Sequence, residues 1–161
     1  MDSGDGRRAA AVAAFSHFLR RRRWAAFGTI GKHGPEVSWV AYATHQKLSQ
    51  GIILHLSQLA SHTRNLERTP TASLSVSEHE IEADDPQRLA RFTLTGVVAT
   101  VATGSRDFQR AVDLYRTVLP DSLPRFDFKD FRLYRFVPTA ARFVAGFAQA
   151  YTIRGDDLDR V

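Results

Sequence analysis

The stretch TASLSVS, residues 71–77, sets Ala72, Leu74 and Val76 against Thr71, Ser73, Ser75 and Ser77 without a break. A period of two puts alternate side chains on opposite faces of a strand, so this pattern predicts a half-buried β-strand. Similar β-compatible segments recur along the chain: WAAFGTI (24–30), EVSWVAYAT (36–44), GIILHLS (51–57) and a long run from Arg91 to Thr103. A last one starts at Phe131 and passes Pro138 to reach Phe143 and Val144. Gly96, inside the long run, predicts a bulge or sharp bend. Helical spacing occurs only over 9–19, over 60–68, where Pro70 stops it, and over 108–118, closed by Pro120 and Pro124. Many strands, few helices and repeated bends predict an α+β domain on a closed or nearly closed antiparallel barrel.

With 161 residues the chain suits a single domain spanning 1–161, in which 1–23 form a basic N-terminal helix and 154–161 a flexible tail. The formal charge of +5 owes much to Arg7, Arg8 and the run from Arg20 to Arg23. Such a run could touch nucleic acid or anionic lipid, yet cations at a helix C-terminus also complement its dipole. No basic and aromatic array continues the run, so neither a nucleic-acid nor a membrane partner is expected. Absent cysteine rules out disulfides and thiolate-bound metal. No apolar run is long enough to span a bilayer, and the polar start lacks the apolar core of a secretory signal, so a cytoplasmic protein is expected.

The segment HLSQLASHTRNLERTP (55–70) concentrates polar groups at a strand-to-helix turn. A helix starting near Ala60 leaves its first amides without intrahelical partners, and its dipole makes that end partly positive. Ser57, Ser61 and Thr63 bring hydroxyls there, His62 an imidazole and Arg64 a permanent charge that fits phosphate oxygens. Together they form a candidate phosphate cradle. The plain alternative has Ser61 capping the helix and the arginines in water. Beside the cradle, Ser38-Trp39-Val40 and His55-Leu56-Ser57 offer strand edges for the polar rim of a ring system. Trp39 itself reads either as core or as a stacking platform.

Other chemistry finds little footing. No glycine-rich phosphate loop and no nucleophile elbow is present. The six histidines lack paired spacing, so no metal site is expected. The acidic stretch from Glu78 to Asp85 reads as a solvated loop.

Five pieces in order resemble the pyridoxamine 5′-phosphate oxidase-like FMN-binding split barrels, in particular the haem-utilisation (HugZ-type) branch. They are WAAFGTI, HGPEVSWVAYAT, ILHLSQLASHTRNLERTPTASLSV, RFTLTGVV and FDFKDFRLYRFVPTAARFVAGFAQA, and they span about residues 10–150. The resemblance implies a six-stranded antiparallel split β-barrel with a few flanking helices, forming a homodimer with FMN at the subunit interface. By position, flavin contacts would come from Ser38, Trp39, Val40, Leu56 and Ser57. Phosphate contacts would come from Ser61, His62, Thr63 and Arg64, with Gly146 to Gln149 closing the site. His62 stands where many relatives carry lysine, and the second strand lacks the cations of the true oxidases.

The first functional expectation is therefore an FMN-dependent oxidoreductase with no catalytic side chain assigned and its small-molecule substrate open. The alternative is a haem-binding or haem-degrading protein on the same barrel. A further alternative is a non-enzymatic dimeric module that binds another anion.

Overall fold

The computed structural model describes residues 3–80, 85–144 and 150–160. Helix α1 (Ser3–Arg21) leads into a hairpin of β1 (Trp24–Gly31) and β2 (Gly34–Thr44). Then come β3 (Ile52–Ser57), α2 (Ser61–Arg68), β4 (Thr71–Ser77), β5 (Arg91–Thr100) and α3 (Arg106–Val118). A 3₁₀ segment (Pro120–Asp127) precedes β6 (Phe131–Val144) and β7 (Ala150–Arg154). All strand pairs are antiparallel, in the order β3-β2-β1-β4-β5-β6-β7, and β3 also pairs with β6. That last pairing closes β1 to β6 into a six-stranded barrel, as expected from the sequence.

Strand β6 manages both closure and extension because it is 14 residues long. Residues 131–136 pair with β3, and residues 140–144 pair with β7, while β5 runs along the other edge. Its register against β5 shifts between Thr95 and Gly96, where Gly96 faces Pro138. Proline offers no ladder donor, and a Cβ on Gly96 would collide with the Val137 carbonyl oxygen. The bulge expected at Gly96 thus depends on the lack of a side chain.

Barrel closure defines the core. Phe27, Val40, Tyr42, Leu54, Leu74, Leu94 and Phe136 point inward. Helix α1 covers one end by inserting Phe15 and Leu19. Phe15 meets Phe92 edge-on at 4.9 Å, and the Tyr42 hydroxyl donates to the Leu19 carbonyl at 2.9 Å. Arg20 and Arg21 lie in its last turn, as the dipole argument requires, and Arg20 bonds Ser16 and the Gln46 carbonyl. A second apolar cluster forms outside the barrel, where Ala111, Val112 and Tyr115 of α3 cover Ala43, Ile53 and Leu133.

Two expectations need correction. Of the two readings of Trp39 the core one does not hold: it is 60% exposed, while Val40, Tyr42 and Ala43 are the buried residues of β2. Both faces of β2 carry apolar residues, so alternation alone could not say which face points inward. The expected flexible tail, 154–161, is largely structured. A 3₁₀ turn (Gly155–Arg160) buries Leu158, and the Asp159 carboxylate accepts from the Ser49 amide at 3.0 Å. Of the expected acidic loop, residues 81–84 lie outside the described residues, as do Gly146 to Gln149. No helix among the described residues is long and apolar enough to cross a membrane, and no three or more of their acidic and histidine side chains cluster in a way that could hold a metal ion.

Candidate functional site

Helix α2 lies against β1 and β2, with the amides of Ser61, His62 and Thr63 heading the helix. The N-cap position falls on Ala60, which has no side chain to accept from them. Ser61 is the first helical residue rather than the cap, so the plain alternative of a serine-capped helix does not hold.

The neighbouring side chains are largely committed to one another. His62 Nδ1 and the Ser38 hydroxyl share a hydrogen bond of 3.0 Å, and the imidazole meets Phe27 edge-on. Burial pushes the pKa of His62 below its ordinary value, which leaves the ring neutral at pH 7. The Thr63 hydroxyl is buried and donates to the Ser57 carbonyl at 2.7 Å. Ser57 in turn donates from its hydroxyl to the Asp130 carboxylate at 2.5 Å and accepts from the Leu59 amide. Arg64 is exposed and donates to the Leu59 carbonyl. Behind them, Asn65 donates to Thr29 and to the Glu36 carboxylate, and accepts from Arg68.

The nine expected contact residues thus divide. The polar members Ser38, Ser57, Ser61, His62, Thr63 and Arg64 do gather around the start of α2. Val40 and Leu56 turn their side chains into the core and keep only backbone edges for a ligand. Trp39 leaves by the opposite face of β2 from Ser38, because successive strand residues alternate.

That opposite face holds a feature the sequence reading missed. Trp24 (56% exposed) and Trp39 stack with ring centroids 6.1 Å apart and planes 13° from parallel. They border a groove of about 680 Å³ whose walls also include Arg21 to Arg23, the end of β4 through Glu80, and residues 119–122 with Arg125. His79 is the histidine in its lining. Ser122, also in the wall, is fully buried, and its hydroxyl has no partner among the described residues. These walls come from four stretches far apart in sequence, so no local motif could disclose them.

The indole rows continue into a wide outer face. Register places Trp39, Ala26, Ser75 and Thr93 in one row across β2-β1-β4-β5, and Val37, Gly28, Ser73 and Thr95 in the next. Val37 at the strand edge is 72% exposed, and no charged side chain occurs in either row. An uncharged, partly apolar sheet face of this extent is a feature of interaction surfaces.

A closed six-stranded antiparallel barrel with a few flanking helices is the split-barrel fold of pyridoxamine phosphate oxidase-like proteins. Within that class the chain belongs to the family described as "CREG, beta-barrel", whose profile matches residues 6–159. It is 31% identical over 150 residues to "Heme oxygenase HutZ" of Vibrio cholerae, covering 88% of this chain and 80% of the relative. The HutZ crystal structure superposes with a TM-score of 0.69 at 25% identity, covering 78% of this chain and 88% of HutZ. A haem-binding protein from Mycobacterium smegmatis gives a TM-score of 0.77 at 24% identity over 94% of this chain. The present chain spans only 58% of that mycobacterial protein. A pyridoxine phosphate oxidase family protein from Clostridium acetobutylicum shares the fold, with a TM-score of 0.69 and 14% identity over 93% of this chain and 98% of its own.

Proposed function

We propose that this protein binds haem in a haem-utilisation role and works as a homodimer. The observation that carries the reading is the 31% identity to HutZ along most of both chains, on a barrel of the same topology class. Haem is a planar ring with anionic edges, and the molecule offers exposed flat aromatic surface beside arginines that have no carboxylate partner among the described residues. A second copy is the natural cover for the uncharged row beside the indoles, from Val37 across Gly28 and Ser73 to Thr95.

FMN, held by an FMN-dependent oxidoreductase, is the second reading, and the bare start of α2 favours it. The amides of Ser61 to Thr63 with the guanidinium of Arg64 suit a phosphate. Against it stand the neutral state of His62, the absence of any cation in β2, and the internal commitments of Thr63 and Ser57.

Absorption titrations of the purified protein separate the two. A saturable shift of the haemin Soret band, with no perturbation of the FMN visible bands, is expected. A clear FMN complex with an unshifted haemin spectrum would reverse the assignment. Light scattering after gel filtration is expected to give twice the 18.0 kDa chain mass.

A further inference from the structure

Stacked indoles bordered by several arginines are costly to leave open to water without a purpose. Each indole removes a large area from solvent when a flat partner covers it. Both tryptophans of the chain stand here, more than half exposed, rather than in either apolar cluster.

The charges around them have no carboxylate partners among the described residues. The guanidinium of Arg22 sits over the Phe18 ring at 5.2 Å, and Arg23 donates to the Val118 carbonyl at 3.2 Å. Arg21 approaches His17, and among the described residues none of the three is in an ion pair. The lining holds four arginines, counting Arg125, against three carboxylates, Glu78, Glu80 and Asp121. Glu78 is already turned to the Ala90 amide, from which its carboxylate accepts at 2.9 Å. The balance at the groove therefore favours an anion, and guanidinium groups fit carboxylates two bonds at a time.

His79 contributes an imidazole, the commonest protein ligand for a metal at neutral pH.

We infer that this groove, and not the start of α2, is where haem binds: the porphyrin lies on Trp24 and Trp39, the propionates go to Arg22 and Arg23, and His79 is the imidazole available to iron. The inference rests on the haem reading for the identity of the ligand. It adds a location that the cradle residues do not share, since Trp39 and Ser38 leave β2 on opposite faces. The volume of about 680 Å³ falls in the range of pockets that take a single organic ligand.

The test is a set of haemin titrations on the full chain, read at the Soret band. Trp39→Ala and the double substitution Arg22→Glu with Arg23→Glu should each raise Kd at least about tenfold. His79→Ala should move the position of the bound Soret band. Arg116→Glu, the same kind of charge change on the exposed side of α3, should leave Kd as in the wild type. Circular dichroism of each variant checks that the barrel is intact, and surface positions such as these tolerate substitution. Wild-type binding that survives all three groove changes would overturn the location and leave the haem reading standing. A wild-type protein that does not shift the Soret band would overturn both.

Discussion

The start of α2 and the indole groove make an instructive pair, because both gather hydroxyls, imidazole and guanidinium, yet those at α2 are more fully committed, His62 Nε2 being the buried atom there without a partner among the described residues. At α2, Ser38 holds His62, Ser57 holds Asp130, Thr63 holds a carbonyl and Arg64 reaches back to Leu59. Those groups fasten a helix against the barrel, and what remains for a ligand is mostly backbone. In the groove the arginines lack carboxylate partners among the described residues, a serine hydroxyl is unsatisfied and two rings face water.

That contrast can be broken by experiment, beginning with the largest effect. Acid should strike the buried imidazoles first. Burial pushes His55 down to about 4, with the Arg125 charge adding to the shift, and burial lowers His62 as well. A histidine depressed in the folded state is neutral in both states above pH 6.5, so stability is fully present there. Below 6.5 the unfolded chain gains protons that the folded chain refuses, and stability falls until pH reaches the folded pKa. For His55 this amounts to about 3 kcal/mol between pH 6.5 and 4. Urea unfolding at pH 7.5 and 4.5 should show His55→Leu losing distinctly less stability than the wild type.

Next in size, Asn65→Leu removes the donor to Thr29 and Glu36 and the acceptor of Arg68. It should cost about 2 kcal/mol in urea unfolding, because the buried Thr29 hydroxyl loses its donor and Glu36 and Arg68 each lose a charge-assisted bond. Thr63→Val loses a single buried bond and should cost about 1 kcal/mol by the same assay. At the groove, Trp24→Ser should change stability by less than about 0.5 kcal/mol while weakening haemin binding. A groove substitution that unfolds the protein, or an Asn65 substitution that leaves it as stable as before, would erase the distinction between the two regions.

Much of the fold was legible in the sequence because strand period and breakers act locally. Residues 71–77 alternate as a half-buried strand must, Pro70 ends α2, and Gly96 announces the bulge opposite Pro138. Strand β7 escaped notice because AYTIR is short, and the turn after it is held by the burial of Leu158, which no pattern signals. At the site, the cluster around α2 was visible as neighbours in the chain, but not that its hydroxyls were already taken. Trp39 was ambiguous for a physical reason: a strand that faces a core on one side and an uncharged sheet face on the other is apolar on both. The groove itself depends on barrel closure, which brings residues 21–24, 39–41, 76–80 and 119–125 to one place.

The central claim can be tested in one nitrogen–proton correlation spectrum, since the two tryptophans give two indole signals. Zinc protoporphyrin, a diamagnetic stand-in for haem, is added to the labelled protein. Large ring-current shifts of both indole signals are expected, with the amides of Ser61 to Arg64 nearly stationary. Shifts concentrated on those α2 amides, with both indole signals unmoved, would contradict the account.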